Sequence, residues 1–336
     1  MMVVYDGIIE SLQSGGGVSV VFNEIVSRMD SYLYISYNID SKIAKSEYNQ
    51  VDKFTFLERY KRCRISRNVY KRTSIFHSTY YRVPSDRSIP TVTTVHDFTY
   101  ENFVKGPANW VHCWQKYRAI KHSDIVICVS HNTARDLMHY CPIDPSKIRV
   151  IHNGVSESYH VPPDLPAKTN EVLFVGARAG YKNFELAVDA LVKRPELSLS
   201  IVGGGPLSET EQQRLDACLT GRYTWLGRLS DEELNLAYNR AYALLYPSSY
   251  EGFGIPIIEA MRAGCPVVAV NASSIPEVAG NAAILTNYAD AELFSNALLS
   301  VSEKREALVI AGLEQAKKFS WDKCFEETLQ VYKELM

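Results

Sequence analysis

The stretch YPSSYEGFGIPIIEAMRAGCPVVAV, residues 246–270, sets how the rest of the chain is read. An apolar run ending at Tyr246 leads into a turn that carries Gly252 and Gly254. Pro256 suits a first helical turn, Ile257, Ile258 and Met261 give the helix an apolar side, and Gly264 with Pro266 ends it ahead of the β-branched run Val267 to Val270. Strand, glycine turn, helix and strand in that order make one step of a parallel sheet covered by helices. A helix that starts directly after glycines offers unpaired N–H groups and a partial positive charge, which suits a diphosphate. Glu251 stands just before this helix and Glu259 lies within it, eight residues on, so helical rise puts the two carboxylates up to about 12 Å apart. At that distance they cannot share one proton. Each also has a plainer reading, Glu251 as a cap of the helix and Glu259 as a solvated helix residue.

The same rhythm extends in both directions. Short apolar runs at Leu33 to Tyr37, Thr91 to Val95, Ile125 to Val129, Arg149 to His152, Val172 to Val175, Leu199 to Val202 and Ala243 to Tyr246 alternate with amphipathic stretches. Val18, Val21, Phe22, Ile25, Val26 and Met29 recur at helical spacing. This predicts an α/β fold of doubly wound sheets, and 336 residues favour two domains over one. The proline-rich VPPDLPAKT, residues 161–169, reads as the linker between residues 1–160 and 170–320. The tail 321–336 is expected to fold back onto the first domain, with Phe325, Leu329 and either Tyr332 or Lys333 at helical spacing.

Residues 251–267, EGFGIPIIEAMRAGCPV, closely resemble the signature of family 4 of the glycosyltransferases, with Arg262 where a small residue is usual. The resemblance implies a GT-B architecture of two Rossmann-like domains, retention of anomeric configuration and no divalent metal. Neither Asp-x-Asp nor a His-Glu-x-x-His cluster occurs, so the leaving diphosphate needs protein cations and N–H dipoles. In VLFVGARAGYKN the family's diphosphate-gripping cations correspond to Arg178 and Lys182, two residues that composition alone would leave as solvated loop cations. Gly16 and Gly17, in Ser14-Gly15-Gly16-Gly17-Val18, resemble the family's early glycine loop. A plain flexible turn is the alternative. His96 in TVTTVHDFTYE matches the family's sugar-contacting histidine, although a satisfied core histidine fits the residues too; His77 has a similar placement.

Further donor contacts follow from the resemblance: Gly204 in the run Gly203 to Pro206, Arg228 and Leu229 beside the base, Ser248 near phosphate or sugar hydroxyls, and Gly252, Phe253, Gly254 and Ile255 at the helix start. The catalytic set is then His96, Glu251, Lys182 and Arg178, and Glu259 reads the ribose. No metal and no cofactor is expected, the donor being a GDP- or UDP-linked sugar with a lean to mannose. The acceptor is a glycan or lipid-linked oligosaccharide of surface polysaccharide, O-antigen-like, synthesis. A phosphorylase, a nucleotide-sugar epimerase or a silent sugar-binding scaffold remain alternatives on the same architecture.

A formal net charge of −2 gives no global pull toward nucleic acid. Seven scattered cysteines without Cys-x-x-Cys spacing point to a reducing cytoplasm, and no signal peptide or membrane span is expected. Charge is concentrated at Arg59, Lys61, Arg62, Arg64, Arg67, Lys71 and Arg72, interleaved with aromatic and aliphatic residues. Residues 54–72 are therefore expected to touch the inner, anionic face of the cytoplasmic membrane, to bind the pyrophosphate of a lipid-linked acceptor, or to form a solvated helix.

Overall fold

The computed structural model describes residues 2–13, 16–37, 48–51, 57–65, 74–164, 166–178 and 180–336. The chain divides into two compact units, residues 1–153 with 321–336, and residues 154–320. Each is a parallel sheet with helical crossovers.

The first unit contains β1 (Met2–Asp6), β2 (Tyr32–Ser36), β3 (Tyr48–Val51), β4 (Ser74–Ser78), β5 (Thr91–Val95), β6 (Ile125–Cys128) and β7 (Ile148–Val150), in the order β3-β2-β1-β4-β5-β6-β7. All its paired strands run parallel, from Val3 beside Tyr32 on one flank of β1 to Val3 beside Ile75 on the other. Such strands must be apolar on both faces, and β1, β2, β5 and β6 are buried throughout. The helix Gly17–Ser27 packs Val21, Phe22, Ile25 and Val26 inward, and the helix Trp321–Glu334 adds Trp321, Cys324, Val331 and Tyr332 to the same core. The Tyr332 hydroxyl meets Tyr5 Oη at 2.9 Å and His77 Nδ1 at 2.5 Å, while Arg28 pairs with Asp322 at 2.8 Å and Arg149 with Glu334 at 2.7 Å.

The second unit contains β8 (Glu171–Val175), β9 (Ser198–Val202), β10 (Tyr223–Gly227), β11 (Ala243–Tyr246), β12 (Val267–Val270) and β13 (Ile284–Thr286), ordered β10-β9-β8-β11-β12-β13. It repeats the first unit's pattern: the strand direction of growth reverses after the third strand, so β8 and β11 are neighbours although 69 residues separate Lys182 from Glu251 beyond their ends. In such sheets the carboxyl ends of the two strands at the reversal form the binding crevice.

The stretch 161–169, read from its prolines as an interdomain linker, lies inside this second unit. It is a strap tied to the helix Asp231–Arg240: Asn235 Oδ1 accepts from His160 N at 3.0 Å, and Lys168 Nζ and Thr169 N donate to Asn239 and Arg240 carbonyls at 2.6 and 2.9 Å. Proline stiffens an extended strap as readily as a hinge, which is why composition alone misplaced the boundary. All seven cysteines are free. Among the described residues no helix is long and apolar enough to cross a membrane. Of the basic segment, residues 57–65 form a short 3-10 turn, Glu58–Tyr60, and a bridge between Cys63 and Pro84; residues 54–56 and 66–72 lie outside the described residues.

Candidate active site

In the second unit, β8 runs out at Val175 into a loop whose turn Gly180–Lys182 precedes the helix Phe184–Val192. β11 runs out at Tyr246 into residues 247–254, followed by the helix Ile255–Arg262. Across the reversal point Lys182 Nζ donates to Glu251 Oε1 at 2.5 Å, with side chains only 14% and 12% exposed. The rings of Tyr181 and Tyr246 flank the ammonium at 5.3 and 5.6 Å. Asn183 locks the two loops together. It sits in the left-handed region at φ 51° and donates through Nδ2 to Pro247 O at 2.8 Å and Ser249 Oγ at 2.6 Å. Ser273 Oγ accepts from Glu251 N at 2.8 Å, and Ser274 Oγ donates to the Glu251 and Phe253 carbonyls at 2.9 and 3.0 Å. Gly254 begins the helix at φ 99°, a conformation that side chains disfavour, and no side chain caps it. Gly252 and Phe253 are buried, Phe253 edge-on to Phe319 at 5.6 Å; Ser248 is buried and Ile255 half-buried.

Arg178 is placed differently. Its guanidinium donates to Glu211 Oε1 at 2.7 Å and to the carbonyls of Gly203, Gly205 and Pro206 at 3.1, 3.2 and 2.8 Å. The packing is close: a Cβ on Gly204 would lie 2.5 Å from Arg178 Nη1 and 2.9 Å from Gly176 O. Arg178 thus straps the glycine loop beyond β9 to the loop beyond β8. Glu211 serves twice, since it also closes a capping box with Ser208. At the end of β10, Arg228 is exposed and Leu229 half-buried.

Glu259 is not a solvated helix residue. Tyr238 Oη donates to its Oε2 at 3.2 Å, and burial pushes its carboxyl up to about 7, the Tyr238 and Tyr159 hydroxyls only partly offsetting this while the Asp231 carboxylate adds to it. The two motif glutamates therefore differ: Glu251 is paired with a cation, and Glu259 is held among hydroxyls.

In the first unit, Gly16 precedes the helix Gly17–Ser27 and Gly17 opens it; Ser14 and Gly15 lie outside the described residues. His96 follows β5. Its Nε2 is buried and finds no hydrogen-bond partner among the described residues, and burial aided by Lys116 and opposed by Asp97 brings the imidazole down to about 4, so it is neutral at pH 7. His77 is a satisfied core histidine, spent on Tyr332 and, through Nε2, on Thr94 Oγ1 at 2.9 Å. Burial and His96 hold it near 3.

A family model described as "Glycosyl transferases group 1" matches residues 155–319, and one described as "Glycosyltransferase Family 4" matches residues 54–159. An uncharacterised glycosyltransferase of Methanocaldococcus jannaschii is 30% identical over 257 residues, 74% of this chain and 69% of that protein. This chain belongs to family 4 of the glycosyltransferases. Two O-antigen chain mannosyltransferases, B of Escherichia coli and RfbU of Salmonella typhimurium, are 42% and 32% identical over 34% and 56% of this chain; those matches span 30% and 54% of the relatives' own lengths. HepE of Anabaena, solved in complex with UDP and glucose, superposes with a TM-score of 0.74 at 17% identity, covering 98% of this chain and 99% of that one. The fold of this glycosyltransferase is accordingly GT-B.

Several residues packed around the candidate site residues escape a reading of the sequence. Tyr246, Tyr238 and Tyr159 look like ordinary core aromatics, yet one flanks Lys182 and the others surround Glu259. Ser273 and Ser274 carry a signal in retrospect, since Ser-Ser-Ile-Pro-Glu spells a helix start directly after β12. Lys116 gives none: it is an apolar-face lysine, fully buried, donating to Asp97 O at 2.6 Å and pairing with Glu101 at 3.0 Å.

Proposed function

We propose that this glycosyltransferase retains anomeric configuration while moving a hexose, mannose, from a GDP- or UDP-linked donor to a glycan or lipid-linked acceptor of surface polysaccharide. The observation that carries the reading is the Lys182–Glu251 pair at the reversal point of the second sheet, beside the glycine-started helix at Gly254. The names of the two O-antigen relatives support mannose, and the UDP bound by HepE supports a nucleoside diphosphate leaving group.

The division of labour follows from the contacts. Lys182 and the first turn of the helix Ile255–Arg262 take up charge as the diphosphate departs, in place of a divalent metal. Glu251, released from Lys182 when the phosphates arrive, receives sugar hydroxyls. Glu259 addresses the ribose, and Leu229 packs on the base. Arg178 positions, through the Gly203 to Pro206 loop, rather than touching phosphate. His96, neutral and with Nε2 not yet spent on a partner among the described residues, is assigned to the transferred sugar, and the acceptor hydroxyl attacks from the face the diphosphate leaves, which accounts for retention.

One experiment tests the set. Thermal stabilisation is measured against GDP-mannose, UDP-glucose and their nucleotides, with turnover of the stabilising donor followed with and without chelator. A ligand at about a hundred times its Kd adds about 2.7 kcal/mol. GDP-mannose is expected to stabilise most, chelator to leave turnover intact, and Lys182→Ala to cost roughly a hundred- to thousandfold in kcat. Turnover that dies with chelator, or survives in Lys182→Ala, overturns the reading.

A further inference from the structure

The helix Pro107–His122 contains no acidic residue. It buries His112, Gln115, Lys116, Ala119 and Ile120 against the first sheet. At 100° per residue the opposite side carries Trp110, Val111, Trp114, Arg118 and Lys121. Trp110 is 73% exposed, Trp114 54% and Val111 43%, and Phe103 of the preceding helix Thr99–Phe103 is 45% exposed. Single exposed apolar residues are ordinary; two tryptophans one turn apart with aliphatic and aromatic neighbours form a patch.

Cations rim it. The Arg118 guanidinium lies 4.6 Å over the Trp114 ring, and exposed Lys121 follows one turn on. Burial, together with the charges of Arg62 and Arg82, holds Arg118 below its usual value; burial and the charges of Arg62, Arg87 and Arg118 do the same to His122. Arg118 Nη2 donates to Tyr60 O at 3.0 Å, which holds the guanidinium over Trp114 at the rim of the patch. Same-sign groups crowded in this way favour an anion beside them.

We infer that this face docks on an anionic phospholipid bilayer, with Trp110 and Trp114 seated at headgroup depth and Arg118 and Lys121 on lipid phosphates. Indole suits that depth because its ring is apolar and its N–H finds a partner at the wet boundary. Tryptophan beside arginine and lysine is the composition that anchors protein surfaces at the headgroup boundary. The face is a convex helix surface, which fits a broad bilayer better than an acidic peptide that needs a groove. The inference stands on these residues and not on the donor reading, so donor turnover on a water-soluble acceptor reports separately.

The test is co-sedimentation of the full chain with phosphatidylcholine vesicles, with and without phosphatidylglycerol, across a salt series. Binding is expected only with phosphatidylglycerol, weakening as salt rises. Trp110→Ser with Trp114→Ser should reduce it more than about tenfold. Arg118→Gln and Lys121→Gln should each reduce it about fivefold. The tryptophan emission of the unaltered protein should shift to the blue on those vesicles, and the shift should vanish in the double variant. Circular dichroism checks folding, and Trp110→Ser alone, at the more exposed position, serves if the double variant unfolds. No binding to phosphatidylglycerol vesicles, binding indifferent to salt and to every substitution, or self-association abolished by the tryptophan substitutions would each overturn the inference, the last in favour of a contact between copies.

Discussion

The two sheets share one order over six strands, the first adding β7 at its edge, yet the crevices at their reversal points are chemically opposite. Between β1 and β4 the first unit knits itself shut: Asp6 Oδ1 accepts from Thr79 N at 2.6 Å, Arg82 stands 3.9 Å from Asp6 Oδ2, and Arg82 also reaches Glu58 at 3.0 Å and the Tyr37 hydroxyl. Between β8 and β11 the second unit sets a lysine and a glutamate face to face beside an uncapped helix start. Strand order says where a ligand can sit; the side chains decide which of two equivalent crevices is filled from within.

The contrast can be broken most forcefully at Asp6. Burial pushes its carboxyl up to about 6 despite Arg82 and Thr79, so it belongs to the architecture. Asp6→Ala removes the buried acceptor of Thr79 N and one of the two carboxylates beside Arg82, Glu58 remaining, and should cost about 1–3 kcal/mol in urea unfolding, with turnover per folded molecule unchanged. A loss of turnover without a loss of stability would move function into the first crevice. At the second crevice, Gly254→Ala forces a side chain into φ 99°, with its Cβ 3.3 Å from Ile257 Cδ1. The expected cost is about 1–2 kcal/mol of stability, accompanied by weaker nucleotide-sugar binding in calorimetry.

The smallest effect sharpens the comparison through pH. Glu259, raised from 4.5 to about 7, holds its proton more tightly when folded, so its contribution is complete below about pH 4.5 and disappears as pH climbs through about 7. His96 and His77, lowered from 6.5 to about 4 and about 3, run the other way: their contribution is complete above pH 6.5 and is lost as pH falls toward those values. Hydrogen exchange read element by element should show the helices Asp231–Arg240 and Ile255–Arg262 loosening on the alkaline side and β4 and β5 on the acid side. Glu259→Gln should flatten the first trend and leave the second.

Much of this was legible in the residues. The stretch 246–270 announces its strand, turn and helix because proline and glycine stand at both helix ends. β1 announces itself only in part: Asp6-Gly7 marks its end, but MVVYD is short and buried on both sides, so its period does not separate a strand from any other buried apolar run. Within the site, Lys182 and Glu251 are individually visible as a loop cation and a motif acid. Their pairing is not, because it depends on the strand reversal that makes β8 and β11 neighbours. Arg178 shows the same limit, since three of its acceptors are backbone carbonyls that carry no mark in the sequence.

Tyr332, bonded to Tyr5 and His77 at the heart of the first core, sits after the whole second unit in chain order. A ribosome therefore delivers every residue of the second sheet before the first sheet receives its final helix. The later-made unit is the one able to finish folding earlier, while the unit synthesised first waits, its core uncovered, for the last turns of helix to emerge.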